Sequence, residues 1–201
     1  MSFAQTVKQE LLQAALEPYE THAFLSALFA INGQYDGKTL TFKSVSLGLI
    51  RRVMALIKSM YDVPIEINHE DDEKLTQLKY HYLILPKPDV LIHELGLMEN
   101  ETFAERIDEV ILSRKEAKVA YIKGAFLASG SLNSPESSSY HLEIKTHHAK
   151  IAEDIRELLE SLHLPAKVLK RRQSLYIIYI KESEKIAHFL RTVGARNTLF
   201  T

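Results

Sequence analysis

Few side chains in this sequence have the types and spacing of a catalytic or metal-binding site. His147 and His148 are adjacent, and neighbouring residues on a helix do not face each other, so we do not expect them to share a metal ion. The run from His69 to Glu73 is acidic, but it lacks the glycine turn and ligand spacing of an EF-hand and is better interpreted as a hairpin loop. The absence of cysteine excludes thiolate nucleophiles and cysteine-ligated zinc. The sequence therefore predicts no metal site and no cofactor.

Basic side chains offer a different chemistry, the neutralisation of nucleic-acid phosphates. Each such contact adds to a salt-dependent affinity, and the hairpin turn from Lys167 to Arg172 carries the densest positive charge of the chain. Glu66 and Glu143 oppose this charge. Weak phosphate contact and a merely solvated turn both stay open, and the second is favoured. The possible nucleic-acid contacts are Lys43, Lys145, Lys167, Lys170, Arg171 and Arg172.

The composition limits these chemistries further. The chain has 201 residues, 46% of them apolar, and a net charge of −1, so it lacks the overall positive field of many nucleic-acid binders. Its first residues lack the apolar region of a signal peptide, and no apolar run reaches the roughly 18 to 20 residues that a membrane span needs. We expect a cytoplasmic protein that has no membrane partner, and any DNA contact must come from a local surface.

Two apolar segments of helical length are the elements that must position these side chains. The segments run over 23–33 and 119–130, and each closes on a short polar residue followed by glycine. These closing pairs are Asn32-Gly33 and Ser129-Gly130. Glycine and asparagine tolerate the left-handed dihedrals of a helix C-terminus, so the pattern predicts that each helix ends there.

Small residues recur along both helices at intervals of four. Ala120, Gly124 and Ala128 form one narrow stripe, and Ala23 and Ala27 lie at the same positions 97 residues earlier. Alanine alone would be explained by helix propensity. Glycine inside a helix costs about 1 kcal/mol relative to alanine and needs a packing reason. We therefore predict that the two helices pack closely along this stripe.

The remaining pattern indicates an internal duplication. Leu40 and Phe42 match Leu142 and Ile144 at an offset of 102 residues, and the apolar positions of the following helix keep that offset. This predicts an α+β fold of two helix-strand-helix-strand-strand-helix repeats, related by a pseudo-two-fold axis, with mixed or antiparallel sheets. The predicted segments are an N-terminal helix (1–18), a first repeat (19–98), a helical connector (99–115), a second repeat (116–194) and a linker (195–201).

This duplicated pattern resembles the LAGLIDADG homing endonuclease fold. The stretch from Lys123 to Gly130 falls on the last eight letters of that motif. More closely, the chain resembles the WhiA family of sporulation and cell-division regulators of Gram-positive bacteria. The landmarks of that resemblance span the chain, and they are Met1-Ser2-Phe3 with Val7 to Leu11, Gly124 to Ser131, Ser139 to Ile144, and Val193 to Asn197.

The resemblance also identifies two positions at which a catalytic carboxylate is missing. In the endonucleases the last acidic residue of each motif holds a divalent metal between the helices for phosphodiester hydrolysis. Here those positions are Asn32 and Ser129, and neither is an anion. Asp36 or Glu136 could act as a repositioned acid, but both lie in expected loops. The resemblance therefore implies a domain that is not an enzyme.

The function implied by the resemblance is that of a scaffold or regulatory module in a transcriptional regulator associated with the nucleoid. DNA would be its main partner, and protein partners stay open. The WhiA family carries most of its DNA recognition in a C-terminal helix-turn-helix domain. The sequence contains no such helix-turn-helix domain. We expect residues 195–201 to begin the linker to it. Direct DNA contact through the sheet is the second interpretation, and an active homing endonuclease is the third.

Overall fold

The computed structural model describes residues 1–70 and 78–199, and it confirms the predicted α+β class. The acidic run predicted as a hairpin loop lies outside these residues from Asp71 onward. A first helix, α1, spans Phe3–Leu12. The first repeat then comprises α2 (Pro18–Asn32), β1 (Gly33–Tyr35), β2 (Leu40–Ser44), α3 (Leu47–Met60), β3 (Glu66–His69), β4 (His81–Leu85) and α4 (Asp89–Glu94).

The second repeat has the same order of elements. It comprises α5 (Lys115–Ser129), β7 (Ser131–Leu132), β8 (His141–Thr146), α6 (Ala149–Ser161), β9 (Lys167–Arg171), β10 (Leu175–Lys181) and α7 (Ser183–Val193). Between the repeats lie β5 (Met98–Glu99), β6 (Thr102–Phe103) and a 3₁₀ turn (Glu109–Leu112). A second 3₁₀ turn (Arg172–Ser174) joins β9 to β10, and α8 (Arg196–Leu199) follows α7.

Two four-stranded antiparallel sheets repeat the same strand order. The orders are β1-β2-β4-β3 and β7-β8-β10-β9, so each first strand pairs with the second and each fourth strand lies inside the sheet. Phe42 and Phe189 each pack edge-on against a helix aromatic, Phe29 and Phe126 respectively, with ring centroids 5.6 Å apart in both pairs. The helices and inner sheet faces of both repeats thus enclose one apolar core.

Each repeat contains one strand more than the sequence predicted, directly after its long helix. β1 and β7 have three and two residues, too few for an alternating pattern to be visible. The two helices end at Asn32 and Ser129, as predicted. The glycines that follow are extended, with φ/ψ of −90/151° for Gly33 and −71/145° for Gly130, so the left-handed conformation predicted there is wrong. A Cβ at either position would overlap the carbonyl oxygen of the residue four earlier, Phe29 or Phe126. Glycine is needed for this close approach.

The N-terminal helix is shorter than the predicted range 1–18. It begins with a capping box between Ser2 and Gln5 and ends at Leu12. Pro18, predicted to stop this helix, is instead the first residue of α2, where proline is favoured because its missing N–H has no intrahelical partner. One face of α1 is buried through Val7 and Leu11, which pack on the common core.

The connector is helical only in its 3₁₀ turn, so the prediction of a helical segment over 99–115 does not hold for most of it. Asn100, Glu101 and Ala104 have φ between 47° and 66°, which interrupts any helix. The segment is instead fastened to α6 by Asp154, which accepts hydrogen bonds from the Ile107 amide at 3.0 Å and from the Arg106 guanidinium at 2.6 Å. Side-chain hydrogen bonds of this kind cannot be read from local periodicity.

The segment predicted as a linker over 195–201 is folded as far as Leu199. Ala195 is fully buried, and α8 packs against α1. A Glu10 carboxylate oxygen accepts hydrogen bonds from the Thr198 amide at 3.0 Å and from its hydroxyl at 3.3 Å. The two ends of the described chain are thereby joined on one side of the molecule.

Candidate functional site at the paired helices

The pairing of α2 with α5 forms the centre of the molecule. Gly124 lies directly against α2, since a Cβ built on it would be 2.5 Å from the carbonyl oxygen of Phe24 and 3.1 Å from the Cβ of Ala27. Ala23, Ala27 and Ala120 are buried, whereas Ala128 at the end of the stripe is partly exposed. The small side chains allow the two backbones to approach, and the C-terminal ends of both helices therefore lie side by side.

Asn32, at the first of the two positions where an endonuclease would hold metal, links the two helices. Its side-chain amide donates a hydrogen bond of 2.8 Å to the carbonyl oxygen of Ala128 on α5. A carboxylate has no proton to donate here at neutral pH, and it would face a carbonyl oxygen of the same polarity. The amide is therefore suited to joining helices and unsuited to holding a cation.

Ser129, at the second position, is bound to the neighbouring strand. Its hydroxyl donates to the carbonyl oxygen of Lys145 at 2.6 Å and accepts from the Lys145 amide at 3.1 Å. Both hydrogen bonds tie the end of α5 to β8. Asn32 and Ser129 thus both serve as fastenings between elements of secondary structure.

The two alternative acids lie in loops. Asp36 accepts hydrogen bonds from the backbone amides of Thr39 at 2.7 Å and Lys38 at 2.9 Å, and these hold the pKa of its carboxyl below the usual value. It therefore closes the β1–β2 turn. Glu136 is exposed in the turn before β8. Within residues 1–70 and 78–199, no group of three or more His, Asp or Glu side chains is arranged to hold a metal ion.

The histidines are placed separately from the helix ends. His148 precedes α6, and burial, with a smaller effect of His147, lowers its pKa. A cross-strand pair, His69 and His81, was not anticipated from the sequence; their Nδ1 atoms are 2.6 Å apart. Burial and then the charge of His69 lower the pKa of His81, which favours its neutral ring as a hydrogen-bond partner.

Two lysines near the paired helices were missed by sequence reasoning. Lys123 is only 8% exposed within α5, and burial lowers its pKa, with Glu20 partly restoring it. Lys8, on α1, is half-buried, and this burial lowers its pKa. Its Nζ lies 5.6 Å from the ring centroid of Phe126. Helical periodicity places Lys8 on the polar side of an amphipathic helix, and only tertiary packing brings it to α5.

The structure divides the six basic residues predicted to contact nucleic acid. Lys43 lies on the first sheet, and the second sheet carries four of the others, Lys145, Lys167, Lys170 and Arg171. Lys145 is opposite Ile177, and Ile177 is opposite Leu169, so these three side chains share the outer face of the second sheet. Alternation along β9 places Lys167 and Arg171 on the same face as Leu169. The ammonium of Lys145 is 3.9 Å from a carboxylate oxygen of Glu143, which offsets its charge.

Lys170 points to the other face of the second sheet. It is paired with Tyr176, whose ring packs against the core, and its Nζ lies 5.8 Å from that ring. Arg172 lies in the following 3₁₀ turn. The densest cluster of positive charge in the sequence is therefore split between two faces and a turn. A nucleic-acid contact of the outer sheet face would rest on Lys145, Lys167 and Arg171.

Two cavities lie close to the elements described above. The larger, of about 880 Å³, lies between the connector and α6 and is lined by side chains of both charges, including Arg106, Lys118 and Asp154. The smaller, of about 310 Å³, adjoins Asn32 and Ala128 at the ends of the paired helices. None of the helices in the described ranges is long and apolar enough to cross a membrane.

Comparison with known proteins agrees with this architecture. Residues 118–201 match a family model described as the WhiA LAGLIDADG-like domain. A protein of Oceanobacillus iheyensis named "Probable cell division protein WhiA" is 37% identical over 207 residues, which cover 100% of this chain. The chain spans 65% of the length of that relative.

Solved structures share the fold. The N-terminal LAGLIDADG domain of DUF199/WhiA superimposes with a TM-score of 0.75 at 22% identity, covering 96% of this chain and 90% of that one. The homing endonuclease I-DmoI in complex with DNA and Mn has a TM-score of 0.59 at 16% identity, covering 87% of this chain and 96% of that one. Residues 118–201 therefore match the WhiA LAGLIDADG-like domain, and the chain is similar over its whole length to proteins named WhiA.

Proposed function

We propose that this chain is a catalytically silent LAGLIDADG-like domain that acts as a scaffold or regulatory module in a WhiA-type cell-division regulator. The observation that carries the proposal is the use of Asn32 and Ser129 as structural fastenings at the ends of the paired helices. Hydrolysis of a phosphodiester by this fold needs anionic oxygen ligands at those ends to hold a divalent cation. An amide donor and a doubly hydrogen-bonded hydroxyl do not supply them.

Two observations bear on the role of the domain in DNA binding: the length of its relatives and the charge of the chain. Its curated relative is named a probable cell division protein and is longer than this chain. With a net charge of −1, the domain contributes no general attraction for DNA. We propose that DNA recognition lies mainly in the remainder of the WhiA-type protein and that the domain positions that remainder. The protein would act in the cytoplasm, at the nucleoid.

The second candidate function is direct DNA contact through the outer face of the second sheet. Lys145, Lys167 and Arg171 lie on that face, and the endonuclease that shares the fold has been solved with DNA. Glu143 lies on the same face, opposite Tyr179, and weakens the positive potential. Scaffold function is therefore preferred.

A mobility-shift and cleavage assay distinguishes these functions. Residues 1–201 and a version extended to the length of its WhiA relatives are each incubated with promoter DNA and with supercoiled plasmid, with Mg²⁺, Mn²⁺ or EDTA. We expect a shift with the extended protein and none with residues 1–201 at physiological salt, and no nicking by either. A shift by residues 1–201 would support the second function, and metal-dependent nicking would overturn both.

A further inference from the structure

The 310 Å³ cavity lies where the fastened ends of α2 and α5 meet α1, the end of β2 and the start of α3. Asn32 and Ala128 form part of its wall. Pockets for small ligands occupy roughly 300 to 1,000 Å³, so the cavity has room for a compact ligand. It adjoins Asn32, one of the two positions at which the resemblance to the endonucleases implies a metal-binding carboxylate.

Two lysines reach the cavity from different elements, Lys8 from α1 and Lys43 from β2. No aspartate or glutamate lines it among the residues that the structure describes. Each ammonium is instead held near an aromatic ring, with Lys43 5.1 Å from the ring centroid of Tyr80 and Lys8 beside Phe126. This pair of positive charges repels divalent cations and attracts anions.

The start of α3 adds to this positive potential. Ser44, Val45 and Ser46 line the cavity, and Ser46 is the N-cap of the 14-residue helix Leu47–Met60. The N-terminus of a helix carries partial positive charge and favours bound anions. The helix therefore acts in the same direction as the lysines, and the three groups belong to three separate elements that only the fold brings together.

The rest of the lining is apolar. Leu12, Leu49 and Leu127 supply side chains to the wall, and the exposed side chains of Val45 and Leu78 stand at the edge, 50% and 57% accessible. Apolar walls with a few convergent polar groups are typical of sites for organic ligands. The cavity can thus receive an anionic group together with part of the body that carries it.

We propose that this cavity binds a phosphate group, carried either by a small organic phosphate such as a mononucleotide or by a DNA backbone. Lys8 and Lys43 neutralise the phosphate, the start of α3 orients it, and the leucine wall contacts the attached organic body. The burial that lowers the pKa of Lys8 makes its ammonium costly when the cavity is empty. A bound phosphate compensates that charge. The inference goes beyond the scaffold function and does not depend on it.

The test uses residues 1–201 and four probes: inorganic phosphate, adenosine 5′-monophosphate, adenosine and a short DNA duplex. Binding is measured by calorimetry and by chemical-shift changes at low salt and pH 7. We expect the monophosphate to bind more tightly than inorganic phosphate, and adenosine not to bind. Binding of the monophosphate assigns the site to free organic phosphates, whereas binding of the duplex alone assigns it to the DNA backbone.

Three substitutions locate the binding. Lys8→Met and Lys43→Met keep an apolar stem but remove the charge. Each should lower the affinity for the phosphate probe about tenfold, as expected for a lost charge-assisted hydrogen bond. Lys58→Met is the matched control, because Lys58 is exposed in the last turn of α3, remote from the cavity. Thermal unfolding of each variant verifies that it is folded.

The pH dependence provides a readout that a structural role of Lys8 would not change. Affinity should fall as pH rises through the pKa of Lys8, beginning below the ordinary lysine value of 10.5 because burial lowers it. Lys8→Arg keeps its charge at every pH used, so it should retain binding and lose this part of the pH dependence. The proposal is overturned if none of the phosphate probes or the duplex binds, or if Lys8→Met and Lys43→Met bind like Lys58→Met.

Discussion

Asn32 and Ser129 each fasten the end of a central helix to a neighbouring element. Both side chains are neutral and donate a hydrogen bond, at positions where the resemblance to the endonucleases implies a carboxylate. The Asn32 amide donates to a carbonyl oxygen of the facing helix, and the Ser129 hydroxyl donates to a carbonyl oxygen of the neighbouring strand. Side chains of this chemistry join elements of secondary structure and supply no anionic ligand at these two positions.

Asn32→Asp should destabilise the fold without restoring cleavage. The substitution preserves the shape of the side chain but removes the proton donated to Ala128 and leaves a carboxylate facing a carbonyl oxygen. We expect a loss of about 1 to 3 kcal/mol in the free energy of unfolding, measured by urea denaturation at pH 7. Asn68→Asp, at an exposed position of β3, is the control and should change stability by less than about 0.5 kcal/mol. Equal stability of the two variants would refute the role assigned to Asn32.

The pairing of α2 and α5 is the element contact on which both repeats depend. Gly124 is the closest point, since the carbonyl oxygen of Phe24 occupies the space that a side chain would take. That neighbour is a backbone atom, which cannot rotate away as a flexible side chain could. The separation of the helices is therefore set by the absence of a Cβ.

Gly124→Ala and Gly48→Ala should have opposite effects on stability. A Cβ at Gly124 forces the helices apart, and overpacking of this kind costs about 1 to 3 kcal/mol, outweighing the better helix propensity of alanine. A Cβ added to Gly48, inside α3, would meet no neighbour nearer than 3.7 Å, so alanine should stabilise by up to about 1 kcal/mol. Thermal and urea unfolding measure both. A stabilised Gly124→Ala variant would contradict the close packing.

Over the whole molecule, positive charge is dispersed. The net charge is −1, and the basic residues of β9 alternate between the two faces of the second sheet while Glu143 offsets Lys145. At the ends of the paired helices, Lys8, Lys43 and the start of α3 line one cavity.

Charge reversal on β9 measures what the outer sheet face contributes to DNA binding. In a protein extended to the length of its WhiA relatives, we expect Lys167→Glu with Arg171→Glu to leave DNA affinity within about twofold and the salt slope unchanged. Lys170→Glu, on the opposite face of the same strand, is the matched control. A weaker affinity and a smaller salt slope for the first variant alone would favour direct DNA contact by the sheet.

The sequence by itself determined the duplication, the α+β class and the missing carboxylates. Each repeat must bury the same apolar positions, so the sequence retains the apolar periodicity and the constant offset between the repeats. The chemistry of Asn32 and Ser129 is visible from their identity. Short strands such as β1 leave no such pattern, since two or three residues are too few to alternate.

Only the tertiary structure decided what these positions contact. The acceptor for Asn32 is 96 residues away in sequence, and Glu10 binds Thr198 across 188 residues. Lys8 and Lys43 line one cavity only when the fold brings α1 and β2 to the ends of the paired helices. Hydrogen bonds and charges act over a few ångströms of space, and local sequence patterns record burial along one element, so the partners of a side chain emerge only when distant elements are packed together.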